Sequence, residues 1–188
     1  MAKESWRPGN MLYPLPVVMV STTDKEGKDN ILTIAWTGTV CSNPAMVSIS
    51  VRPERYSYQA LKDTGEFVIN LTTKDLVYAT DYCGVKSGRD EDKFAVLGLT
   101  KLPAQNVRVP LIAESPVNIE CIVENVIPLG SHDLFLAKVA AVHADEQYMD
   151  EKKRFCLEKA NPLVYSHGAY FTCGSQVGTF GFSVKKKK

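Results

Sequence analysis

The sequence predicts a mainly β protein, an antiparallel barrel or sandwich with a few peripheral helices. Runs rich in β-branched residues recur between glycine- and proline-marked turns, and the helical patterns are short and scattered among them. The one glycine spacing that suits a dinucleotide turn, Gly174 to Gly181, leaves too little chain after it for the helix that would hold a pyrophosphate. A doubly wound α/β fold is therefore not expected.

The elements follow in order. Pro16 to Thr22 is a β-branched strand, Asp24 to Lys28 is its turn, and Ile31 to Val40 is the returning strand of a hairpin. Met46 to Val51 alternates Val47, Ile49 and Val51 with Ser48 and Ser50, which gives one apolar face and one hydroxyl face able to meet a ligand. A short helix over Ser57 to Lys62 stops at Thr64-Gly65, and Glu66 to Leu71 is the next strand. Thr73 is placed to cap a second helix ending near Gly84, followed by a long loop through Ser87 to Phe94. The strongest hairpin runs from Pro116 to Ile127, with Asn118, Glu120 and Glu124 on its polar side. It turns at Leu129-Gly130-Ser131-His132 and returns over Leu134 to Ala144. Short strands flank Gly168.

A chain of 188 residues without repeats or low-complexity linkers suits one domain, 1–188, and 45% hydrophobic residues are far too many for a disordered chain. The net charge of +1 argues against nucleic acid or a membrane surface as partner, and the single basic block, Lys185 to Lys188, reads as a solvated tail. The start lacks an apolar signal core and no segment approaches the roughly 18 apolar residues of a membrane span, so a soluble cytoplasmic protein is expected. Five widely spaced cysteines and no Cys-x-x-Cys pair give neither a zinc site nor a disulfide framework; Cys83 and Cys173, beside glycines, are the more exposed candidates. With only His132, His143 and His167 present, Cys-His and Ser-His catalysis has few possible partners.

Two segments carry chemistry. Asn30 to Pro44 sets Trp36 among small polar residues, which can offer a flat ring close backbone approach, hydrogen-bond donors and an apolar wall; an ordinary strand with Trp36 in the core fits the same residues. Arg52-Pro53-Glu54-Arg55-Tyr56-Ser57 brings two guanidinium groups and a hydroxyl to a helix start, a place for a phosphate or, equally, a solvated basic loop. Lys93 stands in a charged stretch that by itself reads as surface.

Taken together, Asn30-x-x-Thr33-x-Ala35-Trp36-Thr37, Asn43-Pro44, Arg52 to Ser57, Ser87-Gly88, Asp92-Lys93-Phe94, Asn161-Pro162-Leu163-x-Tyr165 and Gly168-x-Tyr170 resemble the flavin reductase-like, flavoredoxin-type family from about Met11 to Val184. The resemblance implies a homodimeric split β-barrel that binds FMN non-covalently near its subunit interface. It implies that Thr33, Ala35, Trp36 and Thr37 run along the ring and ribityl chain. Ser50, Val51 and Arg52 would border ring or phosphate, Arg55, Ser57 and Lys93 would approach the phosphate, and Tyr170 or Phe171 would close the site. His167 is a candidate nicotinamide contact. The implied activity is hydride transfer from NADH or NADPH to the flavin, with a monooxygenase or redox protein as possible acceptor; an FMN electron carrier that uses no nicotinamide nucleotide directly is the alternative.

Overall fold

The computed structural model describes residues 1–184; the Lys185 to Lys188 tail lies outside the described residues. The fold is mainly β, the split barrel that the sequence implies. In chain order the strands are β1 (Leu15–Pro16), β2 (Val18–Thr23), β3 (Asp29–Ile34), β4 (Thr37–Ser42), β5 (Ala45–Val51), β6 (Glu66–Leu71), β7 (Lys101–Leu102), β8 (Leu111–Ile112), β9 (Val117–Pro128), β10 (Asp133–Ala144), β11 (Leu163–Ser166) and β12 (Ala169–Thr172). The helices are α1 (Ser57–Thr64), α2 (Val77–Val85) and α3 (Lys93–Leu97). Seven strands form one antiparallel sheet in the order β3-β2-β6-β9-β10-β5-β4, and β1, β11 and β12 form a small second sheet.

The expected strand Ile31 to Val40 is thus two strands. It breaks at Ala35-Trp36, and its halves occupy opposite edges of the large sheet. Two residues add at most about 7 Å of chain, so the edges can be joined this way only if the sheet curls until they meet. At the corner the Thr37 amide donates to Ala35 (3.0 Å), and the Ser50 amide donates to the Trp36 carbonyl (2.9 Å), anchoring the bend to β5.

The interior is packed by Val18, Val20, Ile34, Ile49, Phe67, Cys121 and Phe135, contributed by facing positions of every strand of the large sheet except β4. Outside β2 and β3, Met19 and Ile31 pack with Leu76, Ala79, Cys83 and Phe94 of the helical segments, so these strands are apolar on both faces. Gly65 ends α1 in the left-handed conformation (φ 66°), as Thr64-Gly65 foretells. Thr73 makes no capping bond; a 3₁₀ turn, Lys74–Leu76, leads into α2, and Thr73 pairs instead with Pro162. The expected loop ends in α3, whose start is capped by Asp92, its carboxylate accepting from the Phe94 and Ala95 amides. Cys83 is buried, against expectation, because α2 turns it into this outer cluster; Cys173 is exposed, and all five cysteines are free. No described helix is long and apolar enough to cross a membrane.

Glu120, read from alternation as a solvent-facing residue, is fully buried while Ile122 is exposed. Segment 103–110 covers the outer face here, and Glu120 ties it down by accepting from the Gln105 amide (2.8 Å), the Asn106 amide (2.7 Å) and His143 Nε2 (2.6 Å). Burial opposes ionisation, but the donated hydrogen bonds outweigh it and hold the carboxyl below its ordinary value of 4.5. Glu120→Ala should lower unfolding stability by about 3 kcal/mol, since three donors lose their acceptor. The contribution is complete at neutral pH and disappears as acid brings the solution through the depressed folded value. Urea unfolding of wild type and variant at pH 7 and pH 3 checks this: the gap should be wider at the first pH than at the second.

Candidate functional site

Cavities open side by side along β3. The first, about 380 Å³, lies between Asn30 and Thr33 of β3, the Arg52–Ser57 segment, and the chain from Cys83 to Arg89. Arg52, Arg55, Lys86, Arg89 and Lys93 line it, against one carboxylate, Glu54. The second, about 490 Å³, surrounds the Ala35-Trp36 corner and is walled by Val51, His132, Tyr165 and Tyr170. Leu32, Thr33, Arg52 and Arg55 line both, so the two adjoin.

The basic cavity is built by local structure. Lys93 follows the Asp92 cap, and the first turn of α3 points it inward; it is 2% exposed, and its ammonium donates to the carbonyls of Ile31 (2.7 Å) and Cys83 (3.0 Å). Desolvation lowers its pKa, and the two carbonyls give the charge partners that burial requires. Burial pushes the neighbouring Cys83 thiol up to about 11, so it is a neutral part of the wall. Thr33 anchors α2 by donating to the Thr80 carbonyl (2.5 Å), and Gly84 packs so near that an added Cβ would stand 3.3 Å from the Thr33 Cβ. The Arg55 guanidinium reaches the Gly84 carbonyl at 3.4 Å.

The wider cavity is aromatic. The Trp36 and His132 rings lie 10° from parallel with centroids 6.3 Å apart, and Trp36 is 40% exposed. Desolvation, then the Arg52 charge, holds His132 below its ordinary 6.5, leaving a neutral imidazole at pH 7. Opposite, Tyr170 donates to Asp81 (3.0 Å); burial and this bond raise its pKa to about 12. A flat, partly apolar ring carrying an anionic tail matches this shape and charge.

Comparison with known proteins agrees with that reading of the shape. Residues 10–174 match the family model described as the flavin reductase like domain. The chain belongs to the flavin reductase-like family. Its structure superposes on the flavoredoxin of Desulfovibrio vulgaris (Miyazaki F) with a TM-score of 0.91 at 30% identity, covering 98% of this chain and 100% of that one. The flavoredoxin of Methanosarcina acetivorans gives 0.88 at 26%, over 98% and 100%. Component B of nitrilotriacetate monooxygenase from Bacillus cereus shares the fold at 0.85 and 23%, over 95% and 100%.

In this flavin reductase-like chain the cavities bring together Thr33, Ala35, Trp36, Val51, Arg52, Arg55, Ser57, Lys93 and Tyr170. Other residues singled out from the sequence stand elsewhere. Thr37 donates its hydroxyl to the Ser48 carbonyl (2.8 Å), Ser50 pairs with Leu134 in the sheet and lines neither cavity, and Phe171, 53% exposed, points away from Tyr170 by strand alternation. His167 forms the left-handed tip of the β11–β12 hairpin and rests on Tyr13, with centroids 4.2 Å apart. Ser57 does not cap α1; its buried hydroxyl bonds with Thr22 (2.8 Å) and Asn30 (2.8 Å). The Tyr58 amide is already taken by the Arg55 carbonyl (2.9 Å).

His132, Tyr56 and Arg89 were missed. His132 reads as a turn residue, and only the meeting of the β9–β10 turn with the Trp36 corner, a long-range contact, gives it a place. Lys93→Met should reduce stability by about 2 kcal/mol because two buried carbonyls lose their donor, whereas Lys86→Met, at the exposed rim, should change it by less than about 0.5 kcal/mol. Thermal unfolding of both variants is the check.

Proposed function

We propose that this chain, acting as one domain, is a flavin oxidoreductase that holds FMN non-covalently along β3 and receives a hydride from NADH or NADPH. The observation that carries the reading is a cation-lined cavity adjoining an aromatic one across Leu32, Thr33, Arg52 and Arg55. The basic cavity suits the phosphate: Arg52, Arg55 and Arg89 can donate to its oxygens, while Lys93 adds positive charge from below. Thr33 lines both cavities and would stand beside the ribityl chain, and Ala35, Trp36, Val51 and Tyr170 would flank the ring. Gly84 and Gly88 bring bare backbone to the cavity, the close approach that a nucleotide cradle needs. Thr37, Ser50 and Phe171 are left out of this site, and His132 faces the ring cavity where His167 does not.

When bound, FMN supplies the hydride chemistry at its N5; the protein needs no acid–base triad for it. The task of the chain is then to align the nicotinamide over the exposed side of the ring cavity, beside Trp36 and neutral His132, and to keep the phosphate end fixed. Because Trp36 remains 40% exposed, a second copy of the chain covering this mouth is part of the proposal, as is delivery of electrons to a monooxygenase or other redox partner. Five free thiols suit a reducing cytoplasm.

The similarity to flavoredoxins supports a second reading, an FMN electron carrier reduced by another protein. Anaerobic addition of NADH and, separately, NADPH to the FMN-loaded protein separates the two. The reductase reading predicts rapid bleaching of the flavin absorbance with at least one nucleotide, and persistence of the oxidised spectrum with both would favour the carrier.

A further inference from the structure

Four side chains that line the cavities converge on residues 80–84 of α2. Thr33 of β3 donates its hydroxyl to the Thr80 carbonyl (2.5 Å), and Tyr170 of β12 donates to Asp81 Oδ1 (3.0 Å). Lys93 of α3 donates to the Cys83 carbonyl (3.0 Å), and Arg55 donates to the Gly84 carbonyl (3.4 Å). A helix leaves its last carbonyls without intrahelical partners. Because α2 ends at Val85, Lys93 and Arg55 take acceptors that the helix end supplies. Three of the four acceptors are backbone carbonyls, present whatever side chain stands there. Asp81 is the exception.

Tyr170 stands on the edge strand of the small sheet, which pairs only with β11. Its ring lies near Tyr165, another wall residue of the aromatic cavity, with centroids 5.9 Å apart. Among the described residues, the bond to Asp81 is the hydrogen bond that ties this strand to α2. Since Thr33 fixes α2 to β3, a ring held by Asp81 is held relative to the strand along which the flavin is proposed to lie. Asp81 itself is exposed and lines neither cavity. By charge alone it would have the opposite effect, because a carboxylate three residues before Gly84 disfavours an anion in the basic cavity.

We infer that Asp81 is a positioning residue: by accepting the Tyr170 hydroxyl it fixes that ring as a wall of the aromatic cavity, on the same turn of α2 that anchors Lys93 and Arg55. The inference rests on the proposed placement of the flavin ring in the aromatic cavity. Binding of the ring, more than of the phosphate, depends on Asp81.

Dissociation constants of riboflavin and FMN for apo-protein, measured by equilibrium dialysis, test this in wild type, Asp81→Ala, Asp81→Asn, Tyr170→Phe and the Asp81→Ala/Tyr170→Phe double variant. Asp81→Ala should weaken riboflavin, which has no phosphate, about fivefold, the size of one lost hydrogen bond, and FMN in the same direction. Tyr170→Phe should match it, while Asp81→Asn, whose side-chain oxygen still accepts, should bind riboflavin within about twofold of wild type. Once Tyr170 is Phe, adding Asp81→Ala should move riboflavin affinity by less than about twofold. The visible absorbance of bound FMN should shift alike in Asp81→Ala and Tyr170→Phe. Circular-dichroism melting verifies folding, and Tyr170→Phe, which removes the same bond from its other end, is read alone if the alanine variant melts early. Unchanged riboflavin affinity in the folded single variants, with or without tightening of FMN, overturns the inference. So does a loss on Asp81→Ala that persists in the Tyr170→Phe background. Wild-type apo-protein that binds neither flavin overturns the proposed flavin site itself, and the inference with it.

Discussion

The two-residue link between β3 and β4 is the constraint on which the site depends. It joins strands at opposite edges of a seven-stranded sheet, so the sheet has no open solution compatible with chain connectivity. Curling brings the edges together at Ala35-Trp36, where the backbone cannot continue either ladder and leaves a mouth. The tryptophan stands at that mouth because it occupies the corner, and the anchoring bond from Ser50 to its carbonyl holds the corner open. Without that link the aromatic cavity would have no floor.

The basic cavity depends on a different economy. Burying an ammonium group is costly unless its protons are taken up, and Lys93 is placed where the Ile31 carbonyl on the edge strand β3 and a carbonyl near the end of α2 both reach it. The lysine thereby links strand, α2 and α3 while keeping its charge beneath the cavity. Arginines at the rim are less committed, with contacts near 3.4 Å to Glu54 or to backbone carbonyls, and remain free to turn toward an anion. Fixed charge below and adaptable charge above are what the proposed phosphate site would use to grip an anion and release it.

Much of this architecture was legible in the sequence because its signals are local. The alternation of Val47, Ile49 and Val51, the Thr64-Gly65 stop and the limits of Glu66–Leu71 follow from strand period and glycine conformation alone. Long-range events were not legible. Nothing within Ile31 to Val40 announces a break, since Ala35-Trp36 is strand-compatible and the bend comes from where β4 must pair. Glu120 carries the alternation of a surface strand, and only the covering segment around Gln105 makes it buried. The same distinction separates the site residues. Thr33 and Arg52 lie on segments whose local pattern already suggested a ligand, whereas His132 acquires its place from a turn that folds back across the barrel. Thr37 and Phe171, which the resemblance also implies, do not line either cavity.

The central claim is that the flavin lies along β3 with its ring against Trp36. Trp6, 70% exposed in the irregular N-terminal segment, is the only other tryptophan. Titrating FMN into Trp6→Phe apo-protein, with bound flavin measured independently by dialysis, therefore reads Trp36 alone. The account predicts loss of most of the tryptophan emission in step with FMN occupancy, and full occupancy with unchanged emission would contradict it.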